Sequence, residues 1–304
     1  MPAKTAIFIV GPTAVGKTQT ALYLARYFDT AIISADSRQC YKELNIGVAK
    51  PSVNELQEVK HYFINSHSIT EDLTAAVFER YALDALSAIF STNDIAIVAG
   101  GTGLYIRALS KGFDAIPAVP AKIREDVQKL FDEQGFDGLS GALQKEDPLF
   151  VKTGEMKNPQ RMKRALEVVR ASGLSIRSFQ KSTTTHRDFN MIFVGIELPR
   201  KLLYDHINKR VDNMINEGLL EEVKSLVPWR NLNALQTVGY KELFAYLDGN
   251  LQLADSVSAI KQNTRHYAKR QLTWFKADPL VEWFAPGDEE KIIQYIREKT
   301  ILQS

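Results

Sequence analysis

Eight residues near the start of the chain, Gly11-Pro12-Thr13-Ala14-Val15-Gly16-Lys17-Thr18, match the phosphate-cradling pattern G-x-x-x-x-G-K-[ST] at every fixed position. Glycines let such a loop close around oxygens, and its N–H groups face an anion from a helix N-terminus. Lys17 adds positive charge, and the Thr18 hydroxyl can ligate Mg2+. Most loops of this kind are nucleotide-binding, chiefly ATP-binding or GTP-binding, so the rest of the chain must say whose phosphates this one holds. A nucleotide hydrolase also wants an acid closing a hydrophobic strand, to hold magnesium. The apolar run at 95–99 ends in Gly100-Gly101-Thr102-Gly103 instead, with Asp94 at its other end. A guanine-reading Asn-Lys-x-Asp finds only Asn208-Lys209-Arg210-Val211, which lacks the acid, so the GTP-switch class is excluded.

Asp36 is the only acid that follows an apolar strand at the right end, and it opens DSRQCYKELNIGVAKP, residues 36–51. A turn residue, a magnesium ligand and a general base all fit it, and its place beside a phosphate site favours function. Arg210 comes three residues after Ile207 and four before Met214, flanking the apolar seam of a helix. It either reaches inward to a phosphate or stays on the surface.

These groups need a scaffold that brings them together. Apolar runs at 5–10, 31–34, 95–99 and 191–198 alternate with helical spacing at 17–28, 75–89 and about 200–217. Such alternation predicts an α/β fold, a mainly parallel sheet flanked by helices. Ligands bind beyond the carboxyl ends of its strands, where the loop, Asp36 and Thr102 all lie. Between 114 and 188 the pattern changes to an all-helical insertion, leaving a discontinuous core of 1–113 and 189–304. A helix over 122–134 stops at Gly135, another opens at Asn158-Pro159 and runs to Gly173, and 182–185 forms a returning loop. The insertion serves as a lid or substrate-recognition domain, or as a decorative bundle.

Composition narrows the partners. The 304 residues are 45% hydrophobic and 24% charged, as in ordinary globular proteins. Cys40 is the only cysteine, which excludes internal disulfides and cysteine-based zinc sites and suits a reducing compartment. The first residues lack a signal-peptide shape, and no apolar run is long enough for a membrane helix, so a cytoplasmic protein without a membrane partner is expected. Net charge is only +2, yet residues 157–187 hold eight Lys/Arg against Glu167 alone, and 261–276 hold five with no acid. Two basic stretches suit a polyanion, the second with Tyr267, Trp274 and Phe275 interleaved as single-stranded RNA would favour. Solvated helix faces and core packing are the plain alternatives.

Taken in order, these pieces resemble the tRNA dimethylallyltransferase (isopentenyl-tRNA transferase) family, whose core is P-loop NTPase-like. The likeness rests on GPTAVGKT, Ser34-Ala35-Asp36-Ser37-Arg38-Gln39 with Tyr41, and Ile46-Gly47-Val48-Ala49-Lys50-Pro51. It continues through Gly100-Gly101-Thr102-Gly103-Leu104-Tyr105, Asn158-Pro159-Gln160-Arg161 with Arg164, Val238-Gly239-Tyr240 and Lys269-Arg270-Gln271-Leu272-Thr273-Trp274-Phe275. Val48 departs from the family's usual threonine. Eukaryotic members add a C-terminal zinc finger, and this chain is similar to the bacterial form.

The resemblance implies a transferase, specifically a prenyltransferase of tRNA processing. It would move a dimethylallyl group from dimethylallyl diphosphate to N6 of the adenine just 3′ of the anticodon (tRNA position 37), acting as a monomer with Mg2+ on Thr18. It also implies that ATP is not needed. Asp36 would be the base, with Lys17, Thr18, Thr102 and Arg210 completing the catalytic set. The loop from Gly11 to Thr18 and Arg210 would bind the diphosphate. Asp36, Ser37, Arg38, Gln39, Thr102, Arg124, Gln160, Arg161, Met162, Lys163, Arg164, Gly239, Tyr240, Lys269, Arg270 and Trp274 would meet the tRNA anticodon stem-loop. A small-molecule or nucleotide kinase, with the insertion as its lid, is the alternative; an RNA-binding protein without catalysis comes third.

Overall fold

A computed structural model describes residues 4–114, 116–180 and 185–302, so that 182–184 of the expected returning loop lie outside the described residues. Two compact units make up the chain, residues 1–110 with 186–304 and residues 111–185, against sequence boundaries at 114 and 188.

In chain order the elements are β1 (Thr5–Val10), α1 (Lys17–Tyr27), β2 (Ile32–Ser34), α2 (Val53–Glu58), β3 (His61–Tyr62), α3 (Ala75–Phe90), β4 (Ile95–Gly100) and α4 (Gly103–Lys111). The smaller unit follows with α5 (Ala121–Glu146), α6 (Pro148–Thr153), α7 (Pro159–Ser172) and α8 (Ile176–Phe179). The chain then returns through β5 (Asn190–Ile196), α9 (Arg200–Asn216), α10 (Leu219–Ser225), α11 (Tyr240–Leu247), α12 (Leu253–Lys276), β6 (Val281–Phe284) and α13 (Glu289–Leu302).

Six parallel strands form one sheet in the order β3-β2-β4-β1-β5-β6. The central strand explains why its sequence is an unbroken apolar run: helices cover both sheet faces, so every residue of β1 is buried. Ala6, Phe8 and Val10 join Phe63 and Phe78 in one core, while Ile7 and Ile9 join Leu22, Leu24 and Ile292 in the other. Phe8 pairs with Val98 of β4 on one side and Phe193 of β5 on the other, and the two phenylalanine rings stack at 4.7 Å. From β1 the chain crosses over β4 to reach β2, whereas from β4 it eventually returns at β5. The carboxyl ends of β1 and β4 therefore flank the crevice where such sheets bind ligands. The short β3 and β6 carry no periodic signal in the sequence, which accounts for their absence from the expected strands.

Among the described residues the smaller unit contains helices only. Gly135 breaks α5 with φ 61° and ψ −145°, where the sequence ends its first helix; the second half, to Glu146, was not anticipated. Asn158 accepts the N–H groups of Gln160 (3.1 Å) and Arg161 (3.3 Å) to open α7, and Gly173 closes it at φ 71°. The buried face of α7, with Met162, Leu166 and Val169, packs on Val127, Leu139 and Leu143.

Candidate active site

The chain leaves β1 at Gly11 with φ 144°, and a Cβ there would lie 2.4 Å from the Ile196 carbonyl oxygen at the end of β5. Only glycine fits. Gly16, at φ 103°, begins α1 and aims the helix N-terminus back into the loop. Lys17 donates to the Pro12 carbonyl at 2.6 Å. Burial pushes its ammonium down to about 7, with Asp36 opposing and Arg210 adding to the shift. Arg210, on the seam of α9, is also held below its usual value by burial, again opposed by Asp36. Burial thus disfavours charge on Lys17 and Arg210 beside one carboxylate, and an arriving polyanion would favour the charged form of both.

Asp36 is partly the turn residue that one sequence alternative described. Its Oδ1 accepts from Arg38 N at 2.9 Å and Gln39 N at 3.4 Å, which organises the turn after β2. Oδ2 accepts no hydrogen bond among the described residues, so the carboxylate keeps a free oxygen for a ligand's proton. Loop crossing fixes its position: a Cβ on Gly100 would stand 2.2 Å from the Ala35 carbonyl oxygen. Thr102 N donates to that carbonyl at 3.2 Å, and Ser37 N donates to the Thr102 hydroxyl at 3.1 Å. The ends of β2 and β4 are thereby stitched together with Asp36 and Thr102 on the seam.

A cleft of about 440 Å³ opens beside them. Its lining includes the polar Thr13, Asp36, Arg38 and Arg210 and the apolar Val48, Val211, Met214 and Ile260. Val48 therefore offers methyl groups where a threonine would offer a hydroxyl. Its carbonyl, and that of Ala49, accept from Gln39 Nε2 at 3.3 and 3.0 Å, tying this wall to the Asp36 turn. Thr18 is exposed and its hydroxyl makes no hydrogen bond among the described residues. No cluster of three or more His, Cys, Asp or Glu suited to a metal exists among them. One free hydroxyl beside a phosphate loop fits Mg2+, which keeps several waters and takes its remaining ligands from phosphate oxygens.

The residues expected to meet RNA divide clearly. Lys269, Arg270 and Trp274 are exposed on α12, and Gly239 lines the cleft. Arg124, Gln160 and Arg161 are exposed in the smaller unit, with Lys163 and Arg164 half-buried. Arg161 pairs with Glu155, Arg164 with Glu167 at 3.5 Å, and Lys163 donates to Gln128 at 2.9 Å. Two expectations are corrected. Met162 is fully buried because it shares the apolar face of α7 with Leu166. Tyr240 is also fully buried, and its hydroxyl donates to Glu222 at 2.6 Å, so it supports the cleft wall from behind.

Three further residues join the site although the sequence assigns none of them a place in it, Tyr267 being marked there only as an aromatic among bases and Gln271 only as part of a motif. Tyr267 lines the cleft beside Thr102, and Gln271 lies one turn further along α12 against the phosphate loop. Their four-residue spacing was the available signal, hidden among conspicuous bases. Glu222 accepts the N–H groups of Asn45, Ile46 and Gly47, a role that no local pattern announces.

No helix among the described residues is long and apolar enough to cross a membrane. Comparison with known proteins identifies the family. A family model described as IPP transferase matches residues 39–278. The tRNA dimethylallyltransferase of Cytophaga hutchinsonii is 44% identical over 296 residues, covering 97% of each chain. That of Christiangramia forsetii is 45% identical, covering 96% of this chain and 97% of its own. Among solved structures, a tRNA isopentenylpyrophosphate transferase from Bacillus halodurans superposes with TM-score 0.72 at 34% identity, covering 98% of this chain and 97% of that one. A eukaryotic dimethylallyltransferase acting on tRNA gives TM-score 0.74 at 25% identity, over 93% of this chain and 74% of that one. The chain belongs to the IPP transferase family.

Proposed function

We propose that this protein transfers a dimethylallyl group from dimethylallyl diphosphate to N6 of the adenine just 3′ of a tRNA anticodon, releasing diphosphate. The carrying observation is the cleft, whose lining joins Thr13 of the phosphate loop, the Asp36 carboxylate with its free oxygen, Arg210 and apolar side chains, with Lys17 near enough to feel both Asp36 and Arg210. The names of its relatives, a tRNA dimethylallyltransferase and a tRNA isopentenylpyrophosphate transferase, support tRNA as acceptor and a prenyl group as what is transferred.

An adenine amine is a weak nucleophile because its lone pair is delocalised into the ring. Asp36 Oδ2 would take its proton as N6 bonds to the allylic carbon, a contribution of roughly 10²–10⁴-fold for a positioned base. Charge gathers on the diphosphate as the C–O bond breaks, and Lys17, Arg210 and the loop amides stabilise it where it forms. Mg2+, held by Thr18 and the diphosphate oxygens, would supply further positive charge there. Thr102, whose hydroxyl accepts from Ser37 N at 3.1 Å, would orient the acceptor base. Extruding an anticodon-loop base costs only about a few kcal/mol. The exposed bases of α12 and the smaller unit would grip the RNA backbone. ATP has no role in this chemistry, and we infer a cytoplasmic monomer.

The test combines unmodified tRNA, labelled dimethylallyl diphosphate and Mg2+ without any nucleotide, followed by nucleoside analysis. Label on adenosine supports the transferase. Turnover that depends on ATP, with phosphoryl transfer to a small acceptor, would establish the kinase instead.

A further inference from the structure

Gln271 is buried in α12, and its side-chain amide is satisfied at both ends. Oε1 accepts the Thr13 N–H at 2.8 Å, and Nε2 donates to the Gly101 carbonyl at 2.9 Å. One partner is a donor and the other an acceptor, so together they fix the orientation of the amide. They also account for the residue type, since a carboxylate has no N–H to give and a thioether replaces neither bond. A Cβ on Gly101 would lie 2.1 Å from Nε2, so the bridge needs glycine there.

The two ends of this bridge belong to different halves of the chemistry. Thr13 lies in the loop assigned to the donor diphosphate, and Gly101 immediately precedes Thr102 on the acceptor side. Other residues on the same side of α12 reinforce the contact. Tyr267, four residues earlier, lies beside Thr102, and Trp274 Nε1 lies 2.3 Å from where a Gly103 Cβ would stand. Lys269 and Arg270 on the same helix are exposed.

Building on the transferase activity proposed above, we propose that Gln271 is a positioning residue that sets the spacing between donor loop and acceptor loop without touching either substrate. Displacement needs nitrogen and carbon within about 3–3.5 Å and aligned, and an error of about 1 Å can cost about 100-fold in rate. A single neutral amide holding both loops resists that error from one point.

Three variants test this: Gln271→Met, which removes both bonds, Gln271→Glu, which keeps the Thr13 bond but sets an oxygen against the Gly101 carbonyl, and Gly101→Ala, which displaces Nε2 with Gln271 intact. Single-turnover prenyl transfer is measured beside donor affinity, tRNA affinity and hydrogen exchange at the Thr13 amide. We expect single-turnover rates about 10–100-fold lower in all three, with tRNA affinity within about 2-fold of wild type. The Gln271→Met and Gly101→Ala effects should be non-additive, because they break one bridge. Exchange at Thr13 should accelerate in Gln271→Met and stay slow in Gln271→Glu. Wild-type-like rates in folded variants, additive losses, or losses explained by weaker tRNA binding would overturn the inference. If wild-type protein transferred no prenyl group, the proposed activity would fall, whereas the exchange at Thr13 would still report on the bridge.

Discussion

The Tyr240 hydroxyl donates to Glu222 at 2.6 Å, and the same carboxylate gathers the N–H groups of Asn45, Ile46 and Gly47 at 2.8–3.0 Å. Gly47 lies so close to the Tyr240 ring that a Cβ would stand 2.6 Å from it. One acidic side chain and one buried ring thereby hold the backbone wall that carries Val48 into the cleft.

Tyr240→Phe should cost about 1 kcal/mol of stability, since three donors remain to the carboxylate. Glu222→Gln should cost more, about 1–3 kcal/mol, because its amide N–H₂ group opposes a backbone donor. Urea unfolding of both variants checks the order. A larger loss from Tyr240→Phe than from Glu222→Gln would contradict this view of the wall.

Lys17 and Arg210 are expected to act on the leaving diphosphate. Lys17→Ala or Arg210→Ala should lose on the order of 3 kcal/mol of transition-state stabilisation, comparable to removing one oxyanion donor. Donor titrations and single-turnover rates measure it. Should Arg210→Ala leave both unchanged, the arginine has no part in the site.

Much of this was legible in the sequence because local rules coincide with function there. The phosphate loop needs glycine at fixed spacing, and Asn158-Pro159 with Gly173 bracket α7 by capping chemistry alone. Asp36, Thr102 and Lys17 follow strand ends or open helices, so the topology of a parallel sheet sufficed to gather them. What stayed hidden depends on long-range pairing. Glu222 meets residues about 175 positions away, and Gln271 spans to Thr13 and Gly101 across 258 and 170 positions. Tyr240 and Met162 were misassigned for the converse reason. A family motif or a run of bases marks a neighbourhood, but burial decides which side chains in it face a ligand.

Cys40 is fully buried beside the Asp36 turn, with its Sγ donating to the Ser37 carbonyl at 3.7 Å. Burial, with Asp36 adding, pushes its thiol up to about 12 from 9.0. The folded chain then binds more protons than the unfolded one between those values, so the thiol's contribution to stability is present below pH 9 and lost as pH rises through the window. A disulfide reagent at pH 8 should therefore label Cys40 rapidly in denaturant and very slowly in the folded protein. Equal labelling rates in both states would contradict its burial.

Arg161, Arg164, Lys269 and Arg270 are expected to act on RNA phosphates. Charge-neutral replacements should weaken tRNA binding, and each lost contact should flatten the logarithmic salt slope by a little under about one unit. Donor affinity should hardly change. Wild-type slopes in all four variants would leave them as solvated helix faces, Arg161 serving Glu155 and Arg164 serving Glu167.

The most direct test of the whole account follows labelled dimethylallyl diphosphate into tRNA in single turnover, without ATP, comparing wild type with Asp36→Asn. Nuclease mapping should place the label on the adenine just 3′ of the anticodon. Asparagine retains the oxygen that accepts from Arg38 and Gln39 but cannot take a proton, so tRNA affinity should stay near wild type. The rate at which label arrives should fall by roughly 10²–10⁴-fold, as loss of a general base requires. A rate within a few-fold of wild type, or label on any other nucleotide, would contradict the account.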